Sequence, residues 1–307
     1  PQVRRTQYLP SAAEPVAEFQ FGGDITQTLQ MTQKGGALYL TGKPFGVMKV
    51  DISSDAEEPY LTFAMSDDIE AFSSIGKWVV DWYASGALGV FNGLAILSGT
   101  AGASVVNMAD LQFPKEVFRY PTPTDPNGTV PRDERFVYKG IAIHPTNGFV
   151  YGFRQQDLAY TLKLSSNGSL QPVAQTTYGA PGQSVCCAMG ATWYNNKVFV
   201  AMRTRLWIFD VDATTGWLGQ RKELLDLQPV NVQSSERFLY VQHESTTSIA
   251  GSTRNPSGIY IYDAQGNSVN FLPISPLAFA VGPDDRYLYA NMDDERILIY
   301  KIGWTNN

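Results

Sequence analysis

The sequence predicts an all-β protein, a six-bladed β-propeller closed by an N-terminal strand. Two observations carry this prediction. A unit of short alternating strands recurs about six times along the 307 residues, at a period of roughly 40 to 50 residues. The last unit also lacks an outer strand that an early segment of the chain is able to supply. Short-strand repeats of this length are typical of propeller blades arranged around a central channel.

Each unit contains an apolar triplet, a short polar turn and a second alternating segment. The triplets are Leu38-Tyr39-Leu40, Trp78-Val79-Val80, Phe149-Val150-Tyr151, Val198-Phe199-Val200, Leu239-Tyr240-Val241 and Leu288-Tyr289-Ala290. The segments that follow them are 47–52, 89–97, 158–164, 206–211, 258–263 and 296–302. Aromatic and β-branched residues favour strands, whereas Gly, Pro, Asn and Asp favour the turns between them. We therefore interpret each triplet as the second strand of a blade and each following segment as the third.

The last unit shows how the ring closes. Pro276 to Val281 is predicted to be its first strand, Tyr287 to Asn291 its second and Ile297 to Ile302 its third. Residues 303–307 are too few for a fourth strand. Residues 16–21, Val-Ala-Glu-Phe-Gln-Phe, alternate apolar and polar side chains and have no blade of their own. We expect them to form the fourth strand of the last blade, which removes the exposed edges of an open ring.

Two stretches are longer than a minimal blade requires. Residues 99–135 separate the second and third units and include the Pro-rich and charged segment 121–135, and residues 244–256 interrupt the fifth unit. We interpret residues 1–307 as a single propeller domain with these two insertions. If residues 99–135 contain an irregular blade, the ring has seven blades instead. Both insertions are predicted to project from the same face, where long loops on a rigid scaffold commonly bind ligands.

The composition excludes several classes of function. Charged residues make up 17% of the chain and the net charge is −6, so no basic surface is present to neutralise the phosphates of a nucleic acid. No run of about 18 apolar residues occurs, which excludes a transmembrane helix. Uncharged polar residues are frequent and Lys is sparse, a balance that favours an extracytoplasmic location. We expect a monomer.

Several segments resemble known propeller repeats. Gly140-Ile-Ala-Ile-His-Pro-Thr-Asn-Gly-Phe-Val-Tyr151 and Ala280-Val-Gly-Pro-Asp-Asp-Arg-Tyr-Leu-Tyr289 resemble the YVTN-type repeat, as does the segment 206–216. Gly46-Val-Met-Lys-Val-Asp-Ile-Ser53 is similar to the LVIVD repeat of bacterial surface propellers. The resemblance implies the fold, which lactonase-like and muconate-cyclase-like enzymes share with surface and binding proteins. These motifs build blades, and none allows a catalytic residue to be carried over from the enzymes.

The two histidines of the chain are candidates for acid–base chemistry. His144 precedes Pro145 in a predicted turn, and we interpret it as a turn or rim residue rather than as a base or ligand. His243 ends a predicted strand beside Glu244, at the start of the second insertion. A histidine beside a carboxylate can serve as a general base, although neighbours along a strand point to opposite faces. His243 and Glu244 are therefore the catalytic candidates.

Polar side chains cluster at predicted turns on the face that carries the insertions. The ligand-binding candidates among them are Arg154, Gln155, Arg203, Arg205, Arg132 and Arg135. Guanidinium groups brought together there would bind a carboxylate or a sugar acid through paired hydrogen bonds. Alternatively, they are solvated turn residues that form ordinary surface ion pairs.

No metal ion or cofactor is predicted, with one alternative. Asp67-Asp68 and Asp293-Asp294 approach each other if the ring closes as expected, and clustered carboxylates can hold Ca²⁺. They lack the Asp-x-Asp-x-Asp spacing of a calcium loop. The only cysteines, Cys186 and Cys187, are adjacent, so they cannot form a disulfide scaffold between distant segments.

These observations favour a non-catalytic extracytoplasmic protein that binds a polar small molecule, a glycan or a protein surface through the face bearing the two insertions. Few side chains suited to catalysis are present, and the predicted ring is rigid. The alternative is a lactonase-like hydrolase or a muconate-cyclase-like enzyme that acts on a small anionic substrate. In that case Arg154, Arg203 and Arg205 would bind the carboxylate and His243 would act as the base.

Overall fold

The structure, a computed structural model, is an all-β six-bladed propeller. It describes residues 14–15, 17–20, 27–43, 47–52, 61–64, 87–99, 102–108, 115–120, 138–154, 158–177, 188–202, 205–224, 228–244, 256–282, 285–293 and 296–302. Twenty-four strands in these residues form six four-stranded antiparallel sheets. The predicted fold class is confirmed. Within the described part of the chain we find no helix with the length and hydrophobicity that a bilayer crossing requires.

The first three blades are consecutive in the chain, and each is numbered from its inner to its outer strand. Blade 1 consists of β2 (Gln27–Lys34), β3 (Ala37–Lys43), β4 (Val47–Ile52) and β5 (Leu61–Ala64). Blade 2 consists of β6 (Leu88–Phe91), β7 (Leu94–Gly99), β8 (Gly102–Asn107) and β9 (Lys115–Tyr120). Blade 3 consists of β10 (Tyr138–Ile143), β11 (Phe149–Arg154), β12 (Leu158–Leu164) and β13 (Leu170–Thr177).

The other three blades continue the ring. Blade 4 consists of β14 (Ala188–Tyr194), β15 (Lys197–Met202), β16 (Arg205–Val211) and β17 (Leu218–Leu224). Blade 5 consists of β18 (Pro229–Ser234), β19 (Leu239–His243), β20 (Gly258–Tyr262) and β21 (Ser268–Leu272). Blade 6 consists of β22 (Ala278–Val281), β23 (Tyr287–Asp293), β24 (Arg296–Lys301) and β1 (Ala17–Gln20).

The N-terminal strand closes the ring as predicted. β1 pairs antiparallel with β24, in a register that places Ala17 opposite Ile299 and Gln20 opposite Arg296. An ion pair between Glu18 Oε1 and Arg296 Nη1, at 3.5 Å, links the same two strands. β1 thus supplies the fourth strand of blade 6, and β24 keeps a hydrogen-bonded partner on both sides.

The core consists of six apolar clusters, one between each pair of neighbouring blades. A large side chain from the second strand of each blade contributes to the cluster shared with the following blade. These six side chains are Tyr39, Ile96, Tyr151, Phe199, Tyr240 and Tyr289. The cluster that contains Tyr289 joins blade 6 to blade 1, so the hydrophobic packing runs round the whole ring. This arrangement explains the aromatic triplets of the repeat.

The strands of blade 2 were predicted wrongly. We predicted Trp78-Val79-Val80 as its second strand and residues 89–97 as its third, but β6 and β7 of the structure, residues 88–91 and 94–99, are the first and second strands. Residues 65–86, which include that triplet, lie outside the described residues. β8 and β9 fall inside the predicted insertion 99–135 and belong to the blade sheet. The seven-blade alternative placed an extra blade in residues 99–135. The described part of these residues instead forms the third and fourth strands of blade 2, in a ring of six sheets.

Glycines allow the inner strands to approach one another closely around the channel. A Cβ atom on Gly140 of β10 would lie 2.8 Å from the carbonyl carbon of Gly190 in β14. A Cβ atom on Gly190 would lie 2.9 Å from the side-chain oxygen of Asn231 in β18. Both distances are shorter than a normal van der Waals contact. At Gly140 the obstacle is backbone, so the wall between blades 3 and 4 requires glycine there, whereas at Gly190 the side chain of Asn231 would have to move.

Candidate functional site

The two ends of the propeller differ in how much of them the structure describes. At one end, which we call the turn face, turns join the first and second strands of the blades, as at residues 92–93, 144–148 and 195–196. At the other end, which we call the loop face, β9 ends and β10 begins, and β19 ends and β20 begins. Residues 121–135 and 245–255 of the predicted insertions lie outside the described residues. Ligand binding at the loop face therefore stays a prediction.

Most of the predicted ligand-binding side chains are not described by the structure. Gln155, Arg203, Arg132 and Arg135 lie outside the described residues, and Arg154 ends β11 with its side chain undescribed. The same holds for the calcium alternative, since Asp67, Asp68 and Asp294 are not described and Asp293 ends β23 with its side chain undescribed. Among the described residues no group of three His, Cys, Asp or Glu side chains is arranged to hold a metal ion.

Arg205 is the one predicted arginine whose side chain is described. It begins β16, is exposed, and forms an ion pair with Glu223 of β17 through Nη1 and Oε2. Arg221 Nη2 approaches the other oxygen of the same carboxylate at 3.5 Å. Arg205 is therefore engaged in a pair on the outer strands of blade 4, which corresponds to the surface-pair alternative for this residue.

His243 is buried, whereas its neighbour Glu244 is exposed. The His243 side chain is 1% exposed, and its Nδ1 accepts a hydrogen bond of 2.8 Å from the backbone N–H of Gln228. Its ring makes an edge contact with Tyr260, with centroids 6.0 Å apart. Because Nδ1 accepts a hydrogen bond, the neutral ring carries its proton on Nε2. The two catalytic candidates thus differ in environment, and their role stays a prediction.

The central channel is crossed by two glutamine side chains that the sequence analysis did not single out. Each inner strand has a sheet partner on one side only, so part of its backbone faces the channel without a ladder partner. Gln233 Nε2, on β18, donates to the carbonyl oxygen of Met31 on β2 at 3.0 Å. Gln30 Nε2, on β2, donates to the carbonyl oxygen of Met189 on β14 at 3.4 Å. These bonds join blades that are not neighbours and narrow the channel.

A polar pocket of about 150 Å³ occupies the channel and reaches the turn face. We call it the channel pocket. Its polar lining consists of Gln30, Thr32, Gln33, Lys34, Thr192, Gln233 and Ser234. Its described lining contains one ammonium group, that of Lys34, and no carboxylate side chain. The pocket can therefore offer amide and hydroxyl groups to a neutral or anionic polar molecule.

Hydrogen bonds fix one wall of the channel pocket and leave a donor free in another. Ser234 Oγ donates to the carbonyl oxygen of Trp193 at 2.8 Å, and it lies 2.8 Å from Thr192 Oγ1, which therefore donates to it. Gln33 Nε2 is buried and has no hydrogen-bond partner among the described residues. A buried amide without a partner costs about 1–3 kcal/mol, so a molecule that accepts a hydrogen bond from Gln33 is stabilised there.

An aromatic cluster lies at the rim of the channel pocket. Trp193 lines the pocket and lies 4.2 Å from His144 and 6.1 Å from Tyr151, measured between ring centroids. His144 follows β10 in the turn, as predicted, and its Nδ1 accepts a hydrogen bond of 3.3 Å from the backbone N–H of Thr146. Burial, and next the positive charge of Lys163, lowers the pKa of His144 below its ordinary value. The ring therefore contributes no positive charge to this rim at neutral pH.

Comparison with solved structures relates the chain to β-propellers. It resembles a proposed 6-phosphogluconolactonase of Bacteroides uniformis, with 14% identity and a TM-score of 0.52 over 89% of this chain and 80% of that one. It also resembles an auxiliary nutrient binding protein of Bacteroides thetaiotaomicron, with 11% identity and a TM-score of 0.52 over 90% of this chain and 69% of the other. At such identities the likeness shows the fold alone.

A third similar structure is PorZ, a bacterial surface component of the type-IX secretion system of Porphyromonas gingivalis. The match has 12% identity and a TM-score of 0.53, and it covers 91% of this chain but 37% of PorZ. No protein-family model matches the sequence. No curated protein sequence matches it either. The YVTN and LVIVD resemblances therefore have no support from sequence comparison, whereas the propeller fold has support from structure.

Proposed function

We propose that this chain is a non-catalytic, extracytoplasmic binding propeller that holds a small polar group in the channel pocket. The observation that carries the proposal is the buried amide of Gln33, whose Nε2 lacks a hydrogen-bond partner among the described residues. Buried polar groups are nearly always paired, and an unpaired one indicates a missing water, ion or ligand. The amide and hydroxyl groups around it supply the further contacts that a polar ligand needs.

The size of the channel pocket limits what it can hold. A cavity of about 150 Å³ matches the volume that holds a benzene-sized molecule in a protein interior. Pockets for drug-sized ligands are larger, at about 300–1,000 Å³. The proposed occupant is therefore a small polar molecule, or a single polar end group of a glycan or a protein surface that rests on the turn face.

The extracytoplasmic location is part of the proposal. It is supported by the abundance of uncharged polar residues and the scarcity of Lys. Two of the similar structures, PorZ and the auxiliary nutrient binding protein, are named for surface and binding roles. No described contact favours the enzymatic alternative, since Arg205 is paired with Glu223 and Nδ1 of His243 accepts a backbone hydrogen bond.

Ligand-observed NMR with a panel of small polar molecules tests the proposal. The panel contains glycerol, acetamide, glycine, D-glucose, D-gluconate and N-acetyl-D-glucosamine. We expect at least one of them to bind saturably, and we expect Gln33→Leu to weaken that binding at least tenfold because the free donor is lost. Gln171→Leu, at an exposed position of β13, is the matched control and should leave binding unchanged.

Two outcomes count against the proposal. If no member of the panel binds, or if Gln33→Leu binds as tightly as the native protein, the channel pocket is not the ligand site. A screen of aliphatic and sugar lactones completes the test. Turnover that disappears on His243→Ala would show that the protein is an enzyme and would reject the non-catalytic function.

A further inference from the structure

A second cavity lies between blades 4 and 5, away from the central channel. Its volume is about 540 Å³, within the range of small-molecule sites. We call it the blade 4–5 groove. Its walls are the side chains of Phe199, Leu206, Ile208, Leu239 and Tyr262, each less than 9% exposed. The turn 263–266 of blade 5 borders its opening.

The groove is a gap in an interface that is otherwise packed. All five wall residues belong to the apolar cluster between blades 4 and 5. The cavity lies where the turn 263–266 of blade 5 meets β16 and β17 of blade 4. Because protein interiors are normally close-packed, an unfilled apolar gap forfeits contacts that a ligand can restore.

The border of the groove is held in a fixed shape. Asp263 Oδ1 accepts hydrogen bonds from the backbone N–H groups of Gln265, at 2.9 Å, and Asn267, at 2.8 Å. Asp263 Oδ2 accepts one from Asn267 Nδ2 at 2.9 Å. Asn195 Nδ2, on the turn of blade 4, donates to the carbonyl oxygen of Ala264 at 3.4 Å. The carboxylate of Asp263 is thus used by its own turn, and the groove is formed before a ligand arrives.

Positive charge predominates on the blade 4 side of the opening. Lys197 and Lys222 both line the groove, and both bond the same carboxylate, that of Asp210. Lys197 bonds Oδ1, and Lys222 Nζ lies 2.9 Å from Oδ2. The two hydrogen bonds lower the pKa of Asp210 below its ordinary value. Two further carboxylates line the groove: Glu223, which pairs with Arg205 and Arg221, and Asp263, which bonds its own turn. Together with Asp210 they are three carboxylates against four cations, which leaves one positive charge at the mouth of an apolar cavity.

We propose that the blade 4–5 groove is a binding site for a small amphipathic anion, a molecule with a flat apolar body and one carboxylate. The body packs between Phe199, Leu239 and Tyr262, and the carboxylate bonds Lys222 and Lys197. The site is separate from the channel pocket, and it does not depend on the function proposed for that pocket.

Isothermal titration calorimetry with 2-naphthoate tests this site, and the neutral 2-naphthylmethanol is the matched ligand control. We expect saturable binding of 2-naphthoate at least fivefold tighter than that of 2-naphthylmethanol, because only the anion bonds the lysines. Lys222→Gln should weaken the binding of 2-naphthoate at least threefold. Lys301→Gln should not change it, because Lys301 is an exposed residue of β24 on another blade. Asp210→Asn should strengthen the binding of 2-naphthoate about threefold, because the substitution releases both lysines from the carboxylate.

Filling the groove gives an independent measurement. Leu239→Phe adds volume where the cavity is and should abolish 2-naphthoate binding while leaving the far-ultraviolet circular dichroism spectrum unchanged. If that variant does not fold, the Lys222→Gln and Asp210→Asn variants still test the proposed site. The proposal is overturned if 2-naphthoate does not bind, if the anion and the alcohol bind equally, or if Lys222→Gln and Lys301→Gln have equal effects.

Discussion

Tyr240→Phe should destabilise the propeller through a hydrogen bond between blades 5 and 6. The Tyr240 hydroxyl donates to Asp285 Oδ1 at 2.7 Å, and both residues are 0% exposed. Arg237 Nε donates to the other oxygen, Oδ2, at 2.9 Å. Phenylalanine keeps the ring in the apolar cluster and removes only the hydroxyl, so the effect of the substitution reports the hydrogen bond.

The expected loss is about 2 kcal/mol. A hydrogen bond to a charged group contributes about 1.5–3 kcal/mol, and Arg237 continues to bind the carboxylate, which places the value in the lower half of that range. With an unfolding entropy of about 2.1 cal/mol/K per residue over 307 residues, the melting temperature falls by about 3 °C. Equilibrium urea unfolding followed by circular dichroism measures the free energy of unfolding directly.

Tyr151→Phe is the matched control. Tyr151 occupies the corresponding strand of blade 3 and is equally buried, but its hydroxyl has no hydrogen-bond partner among the described residues. Burial alone raises its pKa well above the ordinary value for tyrosine. Removing that hydroxyl should be neutral or slightly stabilising. Equal losses for the two variants, or no loss for Tyr240→Phe, would refute the assignment of stability to the bond with Asp285.

Two further predictions concern ring closure and pH. Deleting residues 1–21, which include β1, should lower the free energy of unfolding by several kcal/mol, because β24 loses a four-residue ladder whose hydrogen bonds contribute about 1 kcal/mol each. An unchanged urea midpoint would contradict the closure. The pKa of His144 is lowered from 6.5 in the folded protein, so the unfolded chain binds more protons and stability should fall as the pH drops from about 6.5 towards the lowered value. His144→Gln should reduce this dependence of the free energy of unfolding on pH. Parallel stability curves for the native protein and the variant would contradict the role of His144.

The repeat predicted the fold because each blade encodes its own strands. Leu239-Tyr240-Val241 and Leu288-Tyr289-Ala290 lie in second strands as expected, since apolar alternation and turn residues mark them locally. The strand prediction for blade 2 was wrong because Trp78-Val79-Val80 has the same apolar pattern as the second strands of the other blades. In β7 that place is taken by aliphatic residues, with Ile96 in the cluster shared with blade 3, and the triplet at 78–80 matched the repeat pattern instead.

The candidate sites were harder to predict than the fold. Gln30, Gln33 and Gln233 lie in β2 and β18, strands that mix polar and apolar residues, so an amide at these positions does not stand out in the sequence. The hydrogen bonds of Gln30 and Gln233 link residues more than 150 positions apart, and local sequence patterns do not report such contacts. The blade 4–5 groove brings together residues of two blades, such as Leu206 and Tyr262, that lie 56 positions apart in the sequence, and no local pattern places them side by side.

The six apolar clusters make the whole ring the unit of folding. Every blade contributes to two of them, so no described blade encloses a core of its own. A fragment lacking one blade would expose half of two clusters at once, and its neighbours would lose the partners that shield their aromatic side chains. The repeat is therefore modular in sequence but not in stability. Disrupting the apolar cluster between any two blades should therefore unfold all six blades in a single cooperative transition. Open repeat arrays instead lose their repeats stepwise.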